Sequence, residues 1–181
     1  MVTIGKEIPY SAKWFRKNYG GRSNFCSPLT FSSLFRAPYP IAKMLQYGND
    51  FGLTQELDNI SASSALDEKL NATQRVIFET NAKFTIPEAI LLDVLTDEVE
   101  DEQSVYCYLF VILTGTGFHK IAILRTIEGY HLLDVNLDNM RFSTDIKELI
   151  NLQRICNLSV LVNAYTGEYL QYPKKVFSHL L

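Results

Sequence analysis

The sequence predicts an α+β fold, with a mainly helical part over residues 1–103 and an antiparallel sheet over residues 104–181. Two observations predict this division. In the first part, apolar residues recur at roughly helical spacing and are interrupted by prolines and glycines. From Ser104 onward, β-branched and aromatic residues dominate, and turn residues separate the apolar runs. We therefore expect a single domain, residues 1–181, in which a helix of the first part packs on the sheet of the second.

Helices account for most of the first part in this prediction. Ser27 is a favourable cap and Pro28 a favourable first residue, so one helix should begin near Cys26 and end near Phe35. The other predicted helices cover residues 12–18, a segment from about 41, an interrupted pattern over 53–81, and 87–95.

Short apolar runs separated by turns predict four strands in the second part. A turn centred on Ile127 and Glu128 should join two of them and pair Thr126 with Gly129. A helix over 144–154 is expected before the last strand. The predicted strands are 105–113, 118–125, 130–135 and 158–165.

Composition and charge argue against several classes of function. Hydrophobic residues make up 47% of the chain and charged residues 20%, as in ordinary globular proteins. The net charge of −3 gives no reason to expect nucleic acid or an anionic membrane as a partner. No apolar run reaches membrane-spanning length, and the N-terminus lacks the pattern of a signal peptide. The three cysteines show no C-x-x-C spacing, so neither a disulfide framework nor a thiolate zinc site is expected. No metal or organic cofactor is implied.

The predicted hairpin brings a histidine and a carboxylate together. A turn centred on Ile127 and Glu128 sets His119 opposite Asn136. Strand alternation then places Asp134 on the same face as His119, one diagonal step away and within side-chain reach. A carboxylate in that position can fix the tautomer and the orientation of a catalytic imidazole.

Cys26 is the candidate nucleophile for such an imidazole. At the start of a helix, unpaired backbone N–H groups and the helix dipole favour a thiolate. Thiol catalysis also needs hydrogen-bond donors for the developing oxyanion. The backbone N–H of Cys26 could be one donor, and the side chain of Asn24 or Asn18 a second. Asn136 is a further candidate for an orienting or oxyanion-binding role.

The remaining cysteines and histidines are predicted to be structural. Cys107 lies within the most apolar strand, and Cys156 follows an amphipathic segment, so both should belong to the core. His131 should face away from the candidate site, and His179 should lie in a frayed C-terminal tail. A buried, unreactive Cys26 is also possible, and the chain would then be a non-catalytic protein-binding module.

A cysteine at a helix start, followed by adjacent strands that carry a histidine and then an aspartate, resembles the papain-like cysteine hydrolases. Within that group, the chain is similar to bacterial effectors and toxins of the YopT and AvrPphB protease family, and to OspI-like glutamine deamidases. Phe25, Phe118 and Val135 stand where the family commonly has glycine, glycine and proline. The segments that carry the resemblance are Gly-Phe-His-Lys-Ile-Ala at 117–122 and Leu-Asp-Val-Asn-Leu at 133–137.

This resemblance implies a papain-like fold and an enzyme that hydrolyses an amide of a host protein. Cys26 would attack the carbonyl carbon and form an acyl-enzyme, His119 would act as base and then as acid, and Asp134 would orient the imidazole. The reaction could be peptide cleavage or glutamine deamidation, and both stay open. The resemblance also implies a bacterial virulence effector that is secreted without a classical signal peptide and acts in the host cytosol.

Overall fold

The computed structural model describes residues 1–19, 26–35, 72–80, 85–95, 99–115, 117–163, 166 and 171–181. Within these ranges, eight strands form one antiparallel sheet. The strands are Thr3–Glu7 (β1), Ala72–Glu79 (β2), Ser104–Thr114 (β3), Gly117–Thr126 (β4), Gly129–Leu133 (β5), Asn139–Ser143 (β6), Ile155–Asn163 (β7) and Gln171–Pro173 (β8). The α-helices are Ala12–Tyr19 (α1), Cys26–Phe35 (α2) and Glu88–Leu95 (α3), and short 3₁₀ turns are Ile146–Glu148, Leu152–Arg154 and Lys174–Phe177.

The strand order places the β4–β5 hairpin near the middle of the sheet. The order is β1-β6-β5-β4-β3-β7-β2, and β8 pairs with the beginning of β3. The turn of the hairpin has the predicted register, since Thr126 pairs with Gly129. The four predicted strands correspond to β3, β4, β5 and β7, and the predicted helices at Cys26 and before Leu95 correspond to α2 and α3.

The predicted fold class, a helical first part packed on a second-part sheet, was wrong. Residues 1–103 supply β1 and β2, which are the two outer strands of the sheet. The papain-like architecture that the resemblance implied is therefore not the one that the described residues adopt. The described helices are short, with eight residues in α1, ten in α2 and eight in α3.

The second half of the predicted helical pattern over 53–81 is a strand. β2 pairs with β7 from Ala72 opposite Asn163 to Glu79 opposite Asn157. The Val-Ile-Phe run of β2 has residue types that favour strands, and pairing with β7 provides partners for the backbone N–H and C=O groups. Tertiary context therefore outweighs the weak helical periodicity of this segment. Residues 53–71 and the helix expected from about residue 41 lie outside the described residues.

The structure differs from the sequence prediction at two other places. Residues 144–154 form two 3₁₀ turns in place of a helix, because Asp145 and Asn151 accept hydrogen bonds from the backbone two residues ahead. The N-terminal segment, for which no strand was predicted, contains β1. This strand pairs with β6, which the sequence did not predict either.

Both faces of the sheet are buried, which explains the nearly continuous apolar sequences of β3 and β4. On one face, Leu29 and Leu34 of α2 pack in a cluster with Ala122 and Leu124 of β4. The opposite face carries a second cluster that includes α3 and the alternate residues of the same strands. α2 is thereby held against the strand that carries His119.

The C-terminal segment also packs on α2. His179 donates from Nε2 to the backbone carbonyl oxygen of Ser33 at 2.7 Å, and Phe177 is fully buried in the same cluster as Leu34. The prediction of a frayed tail around His179 was therefore wrong. The sequence offered no local signal for this contact, because it joins residues 146 positions apart.

Candidate active site

The contact predicted from the hairpin register is present. Nε2 of His119 lies 2.7 Å from Oδ1 of Asp134, a distance typical of a charge-assisted hydrogen bond. His119 is near the start of β4, and Asp134 directly follows the last residue of β5. The histidine is only 8% exposed. The two residues thus form a largely buried pair at the open end of the hairpin.

The loop after β5 orients the carboxylate. Oδ1 of Asp134 also accepts the backbone N–H of Asn136 at 2.9 Å, and the backbone oxygen of Asp134 accepts the N–H of Leu137 at 2.9 Å. The side-chain amide of Asn136 lies 3.5 Å from Nε2 of His119. Asn136 therefore contacts the imidazole, in agreement with the pairing expected from the sequence, and it helps to fix Asp134.

Cys26 reaches the same imidazole from another part of the chain. It is the first residue of α2, it is 8% exposed, and its side chain hydrogen bonds with His119. The structure therefore brings together Cys26, His119 and Asp134.

The surroundings of His119 favour the charged ring. Burial lowers its pKa, but hydrogen bonds and negative charge from Asp134 and Cys26 outweigh burial and raise the pKa to about 9. At neutral pH the imidazole is therefore mainly protonated.

The proposed oxyanion donors are only partly described. Asn24 and the side chain of Asn18 lie outside the residues that can be described, so their roles stay predictions. Cys26 begins α2, and the first N–H groups of a helix have no partner within it. These groups are candidate donors for the oxyanion.

The other two cysteines are buried, as predicted. Burial raises the pKa of the Cys107 thiol to about 12, although the charge of Lys120 lowers it in part. Burial also raises the pKa of Cys156, whose sulfur donates to the carbonyl of Val111 at 3.4 Å. Both therefore remain thiols at neutral pH, and Cys26 is the cysteine that contacts a histidine.

The sequence did not predict that the N-terminal segment would pack against the site. The backbone N–H of Ile8 donates to Asp138 at 2.9 Å, and that of Ala12 donates to Val135 at 2.5 Å. Val135 directly follows Asp134. These contacts hold the loop that orients the histidine, and only the pairing of β1 with β6 brings them about.

In the described part of the chain, no three or more His, Cys, Asp and Glu side chains converge in a way that could hold a metal ion. No helix in those ranges is both long and apolar enough to cross a membrane. No protein-family model matches the sequence. No curated protein matches it either.

Proposed function

We propose that the protein is a thiol-dependent amide hydrolase that acts on a protein substrate. The observation that carries this proposal is the hydrogen bond of 2.7 Å between His119 and Asp134, on a ring that also contacts Cys26. A nucleophile, a proton carrier and an orienting carboxylate are the three groups that thiol catalysis requires.

In the first half of the proposed reaction, the Cys26 thiolate attacks the carbonyl carbon of an amide. A carbon–sulfur bond forms, and the carbonyl electrons move to the oxygen, which N–H groups at the start of α2 can stabilise. His119 donates its proton to the amide nitrogen as the carbon–nitrogen bond breaks. The amine leaves, and a thioester remains on Cys26.

In the second half, His119 is neutral and accepts a proton from water. The water oxygen attacks the thioester carbon, the carbon–sulfur bond breaks, and the thiolate is restored beside a protonated ring. Asp134 keeps the imidazole in the orientation that both steps need, and its charge favours the protonated ring.

The likeness of residues 117–122 and 133–137 to bacterial effector hydrolases supports a host protein as the substrate. It also supports secretion from a bacterium and action in the host cytosol. Glutamine deamidation and peptide cleavage share every step up to the thioester. They differ in the leaving group, which is ammonia in the first reaction and a peptide amine in the second.

A non-catalytic binding module is the second candidate. The low exposure of Cys26, 8%, is also what a thiol that merely fills space would show. In such a module the hydrogen bond between His119 and Asp134 would only stabilise the open end of the hairpin.

Alkylation with iodoacetamide tests the proposal. We expect Cys26 to be labelled well below pH 8 in the folded protein, and His119→Ala to abolish this advantage. Cys107 and Cys156 serve as internal controls, since burial raises the pKa of both thiols, and peptide mass spectrometry assigns each label. Labelling of Cys26 at the rate of an ordinary free cysteine, or no labelling at all, would contradict the proposal.

Intact mass spectrometry of proteins in a host lysate then distinguishes the two reactions. A gain of about 1 Da at a glutamine indicates deamidation, because an NH₂ group is replaced by OH. Truncated products with new N-termini indicate peptide cleavage. Cys26→Ala is the matched control, since it removes the nucleophile and leaves the His119–Asp134 pair in place.

A further inference from the structure

Two exposed aromatic side chains lie together on the N-terminal segment. Tyr10 is 41% exposed and Trp14 is 39% exposed. Their rings meet edge to face, with centroids 5.5 Å apart and planes at 89°. Large aromatic side chains gain stability from burial, so two of them sharing one exposed site form a surface suited to a ligand. We refer to these two residues as the aromatic pair.

Backbone hydrogen bonds place the aromatic pair beside the catalytic loop. The N–H of Ala12, midway between the two aromatic residues, donates to the carbonyl oxygen of Val135 at 2.5 Å. Val135 lies between Asp134 and Asn136, whose side chains both contact the imidazole of the site. Two residues span at most about 7 Å, so each member of the pair lies close to this contact.

The conformation of the segment is strained and firmly held. Tyr10 has a φ of 55°, in the left-handed region that a tyrosine rarely adopts. The hydroxyl of Ser33 donates to the carbonyl of Pro9, and the hydroxyl of Ser11 accepts the N–H of Trp14 at 3.1 Å. Strained residues persist where surrounding contacts fix them, and they are frequent at functional sites.

An ion pair forms a second contact between this segment and the catalytic loop. Lys13 lies between the two aromatic residues in the sequence. Its ammonium group lies 3.2 Å from the carboxylate of Asp138, in the same loop as Asp134 and Asn136. The aromatic pair is therefore tied to the catalytic loop on both sides of Ala12.

We propose that the aromatic pair binds an apolar side chain of the protein substrate, a few residues away from the amide that Cys26 attacks. This inference rests on the proposed function and deepens it, because it names a feature by which the substrate is selected. The pair thereby determines specificity, and it takes no part in the chemical steps.

Hydrolysis of synthetic peptides tests this selectivity. The probes are capped hexapeptides with a central glutamine that carry leucine or serine two or three residues from the glutamine, on either side. We expect the wild-type protein to prefer leucine peptides, and Tyr10→Ser or Trp14→Ser to lower that preference about tenfold through KM. Ile127→Ser is the matched control, since Ile127 is 47% exposed at the far turn of the hairpin. It should leave the preference as it is.

A binding measurement separates this inference from the proposed function. Trp14 is the only tryptophan of the chain, so its emission reports directly on the aromatic pair. With Cys26→Ala protein, leucine peptides should shift the emission and bind about tenfold more tightly than serine peptides. Tyr10→Gly suits the positive φ and so preserves the fold, but it should remove this difference.

The outcomes differ for the two proposals. If leucine peptides bind preferentially but the wild-type protein hydrolyses no peptide, the proposed function fails and the aromatic pair remains a binding site. Equal binding of both peptides, equal hydrolysis of both, or no change in Trp14 emission with any peptide overturns the inference. An emission shift with phosphatidylglycerol vesicles alone also overturns it, because the pair would then be a membrane contact.

Discussion

Two histidines of the same hairpin differ in charge because they have different partners. Burial lowers the pKa of both rings. The hydrogen bonds and charges of Asp134 and Cys26 raise the pKa of His119 by more than burial lowers it. The pKa is therefore about 9. At His131, burial lowers the pKa to about 4, and the ring nitrogen Nε2 lies 3.1 Å from the hydroxyl of Thr126, which carries no charge.

An ionised hydrogen-bond partner, and not burial alone, therefore decides the charge of a buried histidine. The His131 ring packs against Phe142 with centroids 4.7 Å apart, which suits a neutral imidazole. The open end of the hairpin therefore holds a group that can carry a proton at neutral pH. The end near the turn holds His131, a neutral histidine with a structural role.

The largest expected difference between the two histidines is in turnover. His119→Ala should lower kcat on the leucine-containing glutamine peptides by about 10³-fold or more, because it removes the proton carrier. His131→Ala should change kcat by less than about threefold. Steady-state kinetics on both variants makes this comparison, and equal losses in the two would contradict the role given to His119.

Removing the carboxylate should make His119 resemble His131. In Asp134→Asn, burial still lowers the pKa of His119, and the charge of Asp134 that opposes burial is gone, so the pKa should fall below about 9. Turnover should fall by about 10²-fold, since the ring loses its orienting charge. NMR titration of the imidazole protons measures the pKa.

Glu128→Gln is the matched control for this substitution at the other histidine. Glu128 raises the pKa of His131 against burial, so its neutralisation should leave His131 uncharged and His119 unaffected. A pKa of His119 that stays near 9 in Asp134→Asn would show that Cys26 alone supports the charge.

The two histidines should affect stability in opposite pH ranges. The folded-state pKa of His119, about 9, lies above the ordinary value of 6.5. The contribution of His119 to the free energy of unfolding is thus complete below pH 6.5 and is lost as pH rises to 9. His131, at about 4, lies below 6.5. It therefore costs no stability above pH 6.5, and it lowers stability as pH falls toward 4. Each effect is at most about 3 kcal/mol.

Urea unfolding from pH 4 to 9.5 measures these two slopes. His119→Gln should reduce the decline in the free energy of unfolding above pH 6.5. His131→Gln should reduce the decline below pH 6.5. If the free energy of unfolding declines with pH in the same way after the substitution, groups other than that histidine cause the decline.

The glycines that begin β4 and β5 provide the smallest expected difference. Gly117 and Gly129 both have a φ of 151°, which disfavours any side chain. A Cβ atom at Gly129 would lie 2.8 Å from the backbone oxygen of Ser143, whereas at Gly117 nothing lies within 4 Å. Gly129→Ala should cost about 2 kcal/mol of unfolding free energy and Gly117→Ala about 1 kcal/mol. Equal losses in urea unfolding would show that the steric contact at Gly129 is relieved.

The local sequence determined the hairpin and the contact that depends on it. The turn from Thr126 to Gly129 fixes the register, and the register alone brings His119 and Asp134 to the same place. Such contacts can be predicted because they join residues close in sequence, through the regular geometry of paired strands. The helix at Cys26 was predictable for the same reason, since a proline marks its first turn, but Ser27, the predicted cap, lies inside the helix.

Only the tertiary structure decided which distant segments meet at that hairpin. Ala72–Glu79 became a strand because β7 offered it a pairing edge, and Ala12 came to contact Val135 because β1 pairs with β6. The contact of Cys26 with His119 likewise depends on α2 packing on β4. Long-range pairing and burial can outweigh weak local preferences, so such contacts cannot be derived from sequence periodicity alone.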